Sequence, residues 1–139
     1  MKKSTEELLE LLKRSSLEAY LTESGSELIE ESPLCDYLNS MLKEKGMTKA
    51  EIIKKTSLSQ SHVYQSFSGK RLPTRDKLIE ICLAMEVSVD EAQTLLKYTG
   101  YAPLYPRNKR DSVIIAAMRN GESVIRCNIT LDELNLSPL

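Results

Sequence analysis

The cationic side chains of this sequence are concentrated in one stretch, where they could bind a polyanion. Residues 43–77 carry nine Lys or Arg and three Asp or Glu, although the whole chain has a formal net charge of −1. Residues 1–32 and 78–100 are both net acidic. Because clustered positive charge attracts phosphates and other anions, this distribution predicts one positive face between two acidic flanks.

Side chains that could carry catalysis are few and scattered. His62 is the only histidine, and no nucleophile or set of metal ligands accompanies it at a recognisable spacing. The sequence also lacks a Gly-rich phosphate loop and an acid–base pair. We therefore expect no enzyme activity, no metal and no cofactor.

The three cysteines are distant from one another in the sequence, and their odd number argues against a disulfide framework. We expect Cys35 and Cys82 to be small buried apolar residues in a reducing cytoplasm. The longest apolar run, residues 113–118, is too short for a signal core or a membrane span. The sequence thus predicts a cytoplasmic protein with no membrane partner.

Capping signals and apolar spacing predict an all-α chain in three parts. A capping box of Ser4 and Glu7 opens an acidic amphipathic helix, which fills residues 1–32 together with a connector. Residues 33–100 contain five short helices at helical apolar spacing. Residues 101–139 add a C-terminal helical pair.

The C-terminal pair is less regular than the five helices before it. Pro106 suits the first turn of its first helix. Its second helix starts near Ser123, although β-branched residues leave a short strand over residues 124–127 open. The outer helices, residues 5–22 and 107–136, could form a dimer or pack on the core of their own chain.

Two of the five helices are short, capped and joined by a three-residue turn. A capping box of Thr48 and Glu51 opens the first of them. Ser59 caps the second, and Gly69 ends it. In such a pair the first helix braces against the DNA backbone, and the second presents its N-terminal residues to base edges in the major groove. The pattern predicts double-stranded DNA as the ligand.

The same region resembles a known family. Four segments carry the resemblance: Thr48-Lys49-Ala50-Glu51, Leu58-Ser59-Gln60-Ser61, Gly69-Lys70-Arg71-Leu72-Pro73 and Val87-Ser88-Val89-Asp90-Glu91. Residues 34–98 resemble the Cro-like and lambda-repressor-like helix-turn-helix family (the xenobiotic-response-element type) in its five-helix form. The resemblance implies a bacterial or phage-type transcriptional regulator that binds its operator as a homodimer, here with an extra N-terminal helix and a C-terminal helical pair.

The resemblance also implies roles for individual side chains. The positions at which the family reads bases hold Gln60, Ser61 and Gln65, with His62 and Tyr64 as weaker neighbours. A Gln amide can pair bidentately with adenine. We expect His62 to be exposed to solvent or to face the DNA. The implied phosphate contacts lie at the helix starts and after the second helix: Thr48, Lys49, Ser59, Ser68, Lys70, Arg71 and Arg75.

One pair of positions departs from the family pattern. Ser66 stands where members usually carry an apolar residue, and Phe67 stands where they carry a polar one. Because Val63 and Phe67 are four residues apart, we expect Phe67 to fill the core in place of position 66. The helix would then be rotated slightly, which would change how it presents Tyr64 and Gln65.

Three cations gather where the first helix of the C-terminal pair begins. These are Arg107, Lys109 and Arg110, and a helix N-terminus disfavours positive charge. Two interpretations stay open. Asp111 and the acidic N-terminal helix could neutralise the cluster, or the cluster could bind a DNA phosphate or an anionic group on a protein partner.

A second function is also compatible with the sequence. The chain could be an antitoxin-like or adaptor module that uses a helix-turn-helix fold to hold a protein partner. The uncharged second helix and the acidic flanks permit this alternative. Binding to DNA would be distinguished by a steep dependence on salt, which follows from phosphate neutralisation.

Overall fold

The computed structural model describes residues 33–139, which form helices and no strand. The helices are α1 (Pro33–Glu44), α2 (Lys49–Lys55), α3 (Gln60–Ser68), α4 (Arg75–Ala84), α5 (Val89–Tyr98), α6 (Lys109–Arg119) and α7 (Val124–Glu133). The predicted all-α class is confirmed. The predicted N-terminal helix lies outside the described residues. None of the seven helices is long and apolar enough to cross a membrane.

Side-chain caps define where the helices begin, as the sequence predicts. The Thr48 hydroxyl accepts a hydrogen bond from Glu51 N at 3.2 Å, and the Ser59 hydroxyl accepts one from His62 N at 3.1 Å. At the end of α3, Gly69 has a φ of +84°, a left-handed conformation that costs glycine little. These local contacts set the lengths of α2 and α3.

Helix α4 is the centre of the domain. It packs against α2, α5 and α7, and every residue from Leu78 to Ala84 is buried. A helix that is buried all round serves several neighbours at once. One of those buried residues, Glu80, is charged and fully enclosed.

Helix α3 turns a wider face to the core than the sequence suggested. Val63 and Phe67 are buried, which confirms the prediction for Phe67. Ser66 is buried as well, with 1% of its surface exposed, so Phe67 joins position 66 in the core and does not replace it. Asn39 of α1 donates a hydrogen bond to the Phe67 carbonyl at 2.7 Å, which ties α1 to the end of α3.

The C-terminal helices differ from prediction at both of their starts. Pro106 lies in a turn before α6, which begins at Lys109 with Asn108 as its cap, so the placement of Pro106 in the first helical turn is wrong. The alternative of a strand over residues 124–127 is also wrong. The Ser123 hydroxyl accepts from Arg126 N at 3.1 Å and so caps a helix there.

The C-terminal helices pack on the core of their own chain. Helix α6 contacts α5, α7 contacts α4, and the two contact each other. Ile114, Cys127 and Leu131 are fully buried members of the same apolar core as α4. The described residues therefore share one core, and the helical pair is an integral layer of it.

The cysteines behave in two ways. Cys82 is buried as predicted, and burial raises the pKa of its thiol to about 12. Burial likewise raises the pKa of Cys127 to about 11. Cys35 is partly exposed, so the prediction of a buried side chain is wrong for this residue.

Two ion pairs join the start of α4 to the start of α6, and we call them the crossed ion pairs. Arg75 donates from both Nη atoms to the Asp111 carboxylate, at 3.3 and 3.0 Å. Arg110 donates to both oxygens of Asp76, each at 3.0 Å. Both carboxylates also lie in the first turn of a helix, where negative charge is favourable.

We predict that Asp111→Ala lowers the free energy of unfolding by about 1.5–3 kcal/mol, since hydrogen bonds to a charged group are worth about this much. The change leaves Arg75 without its anionic partner and removes the acceptor of Tyr105 N, 3.0 Å away. The matched control is Asp132→Ala on the exposed side of α7. Urea unfolding of the three proteins tests this, and equal stabilities for both variants would contradict it.

Candidate nucleic-acid interface

The outward face of α3 is polar and open. Gln60, Ser61 and Tyr64 are exposed, and Gln65 is half-buried beside them. Within residues 33–139, the side chains of Gln60 and Ser61 make no hydrogen bond. All five predicted base readers lie on α3, and four of them, Gln60, Ser61, Tyr64 and Gln65, share its outward face. We call these four residues the polar row.

Lys49 is held next to this face by an aromatic ring. Its Nζ atom lies 5.3 Å from the centre of the Tyr64 ring, which is the geometry of a cation–π contact. The contact joins the first residue of α2 to the exposed surface of α3. It places a positive charge at the edge of the polar row.

The loop after α3 presents two further cations. The backbone N–H groups of Lys70 and Arg71 both donate to the Gln65 carbonyl, at 3.0 and 3.3 Å. These bonds fold the loop back onto the end of α3 and leave both side chains exposed. Lys49 lies on one side of the polar row, and Lys70 and Arg71 extend the positive charge beyond the end of α3. We call these three cations the positive edge.

The three hydroxyl groups predicted to touch phosphate differ in their internal bonds. Thr48 donates to the Glu51 carboxylate at 3.3 Å, and Ser68 donates to the Gln65 carbonyl at 3.1 Å. Ser59 accepts a bond as a helix cap, so its own proton is still available. Since a phosphate oxygen accepts hydrogen bonds, Ser59 is better suited to it than Thr48 or Ser68.

Two of the predicted anion-binding cations are engaged inside the domain. Besides its pair with Asp111, Arg75 donates from Nε to the Ala102 carbonyl at 2.8 Å. Arg110 donates from Nε to the Ser137 carbonyl at 2.8 Å in addition to its pair with Asp76. The roles predicted for these two residues, phosphate contact for Arg75 and docking for Arg110, are not supported.

His62 is buried, contrary to the prediction of an exposed or DNA-facing side chain. Only 9% of its surface is exposed, and its Nδ1 atom has no hydrogen-bond partner among the described residues. Burial lowers the pKa of His62, as do the positive charges of Arg71 and Lys77, while Glu80 opposes them. His62 is buried because it lies on the same inward face of α3 as Val63 and Ser66.

Glu80 positions the turn of the motif, a role that we did not predict. Its Oε1 atom accepts from the backbone N–H of Ser57 at 3.0 Å and from the Ser57 hydroxyl at 2.8 Å. The other oxygen forms an ion pair with Lys77 Nζ at 3.5 Å. The sequence signal was a single carboxylate within the apolar run of residues 78–85.

The described residues contain no cluster of potential metal ligands near this surface. Among residues 33–139, no group of three or more His, Cys, Asp or Glu could hold a metal ion. The surface offers a polar row flanked by cations, which can form hydrogen bonds and ion pairs with a polyanion.

Comparison with known families agrees with this geometry. A helix-turn-helix family model of the Cro/C1 type matches residues 38–91, which run from within α1 into α5 and include the whole polar row. No curated protein gave a significant match to the chain, and neither did any solved structure.

We predict that Glu80→Ala lowers the free energy of unfolding by about 1–3 kcal/mol, because the change removes the acceptor of the Ser57 N–H and hydroxyl. Glu80→Gln should cost less, since its amide oxygen can still accept. The matched control is Glu133→Ala, at the exposed end of α7. Denaturant unfolding tests this order, and a Glu80→Ala protein as stable as the control would contradict it.

We also predict that His62 makes the fold less stable in acid. Because its pKa in the folded state is below the ordinary value of 6.5, the unfolded chain binds the proton more readily. The stability gained from neutral His62 is complete above pH 6.5 and is lost as the pH falls toward the folded pKa. Unfolding at several pH values should show this loss relative to His62→Gln, and parallel curves for the two proteins would refute it.

Proposed function

Residues 38–91 belong to the Cro/lambda-repressor-like helix-turn-helix family, and from this we propose that the chain is a sequence-specific transcriptional regulator. We propose further that it binds double-stranded DNA as a homodimer on a two-fold operator. In this arrangement α3 enters the major groove and α2 braces against the backbone. Half-sites would then be about one DNA turn apart.

The observation that carries the proposal is the unoccupied polar row of α3. Gln60 and Ser61, at the N-terminal end of the helix, have no internal partner among the described residues. Side chains at this end of a recognition helix reach base edges. We assign base contacts to these two residues, with Gln65 and Tyr64 beside them, and we remove His62 from the set because it is buried.

Phosphate contacts are assigned to the cations on either side of the row, of which Lys70 and Arg71 are exposed and Lys49 is half-buried. Lys49 lies at the start of α2, where the helix dipole adds to its positive charge. Lys70 and Arg71 follow α3, and Ser59 offers a hydroxyl proton at its start. These four groups surround the base-reading residues, so they would fix the orientation of α3 in the groove.

The test is a binding selection on a randomised duplex pool, read by fluorescence anisotropy and followed by sequencing of the retained DNA. We expect a palindromic motif. Gln60→Ala should lose about 1–3 kcal/mol of discrimination at one base position of each half-site. Lys70→Ala should weaken binding on every sequence and reduce the salt slope by about 1 for each subunit.

The matched control for these variants is Lys97→Ala, which removes an exposed cation from the far end of α5. It should leave both affinity and base preference unchanged. Binding that is weak and insensitive to both salt and Lys70→Ala would contradict the proposal. Such a result would favour the antitoxin-like or adaptor function, in which the same fold holds a protein partner.

A further inference from the structure

We propose that the C-terminal extension carries a second set of DNA phosphate contacts, made by Arg107 and Lys109 beside those of the loop over residues 69–73. The inference rests on the proposed DNA-binding function and deepens it. It assigns a role to the exposed charges of the segment over residues 101–111, which the helix-turn-helix motif does not include.

The segment begins against the loop that follows α3. The Tyr101 hydroxyl donates a hydrogen bond to the Pro73 carbonyl at 2.7 Å. Pro73 comes two residues after Arg71, one of the proposed phosphate contacts. The chain that leaves α5 therefore starts beside the positive edge of the interface.

The crossed ion pairs hold the other end of the segment, at residues 110–111, next to the start of α4. Arg75 and Asp76 are the first two residues of α4, which directly follows the loop. They bind Asp111 and Arg110 at the start of α6. The start of α6 is thereby attached next to the loop by two bidentate contacts, which are the most directional kind of ion pair.

The crossed ion pairs also determine which positive charges of the segment are available to a ligand. Asp76 and Asp111 neutralise Arg110 and Arg75, the two arginines that face inward. Within the described part of the chain, Arg107 and Lys109 form no ion pair, and both are exposed. The net charge that this segment shows to solvent is therefore positive, like that of the neighbouring loop.

The continuity of sign and position favours DNA as the ligand. Duplex DNA carries about one negative charge for each 1.7 Å of its axis, so a backbone that reaches Lys70 and Arg71 continues past them. Cations fixed beside the loop can meet further phosphates with little loss of conformational freedom, because their backbone is already ordered. The footprint of each subunit would then extend beyond the bases that α3 reads.

The test compares two double variants of the full chain on an operator duplex recovered from the randomised pool, with ten flanking base pairs on each side. Arg107→Ala with Lys109→Ala removes the proposed contacts. Arg119→Ala with Arg126→Ala is the matched control, because it removes two exposed cations from elsewhere on the α6–α7 pair. The dissociation constant is measured over a range of salt concentrations.

We expect the first double variant to show a salt slope shallower by up to about 1.8 for each bound subunit, since each phosphate contact contributes about 0.9. Its affinity should fall roughly tenfold or more at 0.1 M salt. Base preference should stay unchanged, and hydroxyl-radical footprinting should lose protection outside the half-sites. The control should match the parent protein in all of these measurements.

Two results would overturn the inference, and they can be told apart. If Lys70→Ala weakens binding while the Arg107/Lys109 variant keeps the parent affinity, slope and footprint, DNA is bound without the extension. If the parent protein shows no salt-dependent binding to any duplex, the DNA-binding function itself fails, and this inference fails with it.

Discussion

The architecture depends on one buried carboxylate in the middle of α4. Glu80 is fully enclosed, and it accepts two hydrogen bonds from Ser57 in the turn between α2 and α3. A buried charge is tolerated only where partners satisfy it, so the turn and α4 constrain each other. Because α4 also packs on α5 and α7, the angle between the two motif helices is set by the same element that organises the core.

The crossed ion pairs extend this organisation to the C-terminal helices. They connect residues 34 to 36 positions apart in sequence, and each arginine gains backbone carbonyls as additional acceptors. Bidentate pairs that are partly shielded from water fix relative position better than exposed single contacts do. As a result α6 and α7 belong to the same core as the helix-turn-helix, and the loop before α6 lies next to the loop after α3.

The distribution of arginine and lysine separates structural charges from charges that a ligand can reach. Arg75 and Arg110 are saturated within the fold, whereas Lys70 and Arg71 extend from a loop whose backbone is tied to Gln65. The number of cations clustered in a sequence therefore does not give the number of phosphate contacts. In this protein, Arg75 and Arg110 help to build the surface on which the other cations lie.

Local chemistry determined the helices, because a cap such as Ser59 acts on the backbone only three residues away. The sequence alone therefore predicted α2, α3, their turn and the polar row of Gln60 and Ser61. Contacts between distant residues decided the rest. The burial of His62 and the capture of Arg75 by Asp111 depend on how α3, α4 and α6 meet, and no periodicity along the chain encodes that meeting. Tertiary packing thus determines which of the predicted side chains can face a ligand.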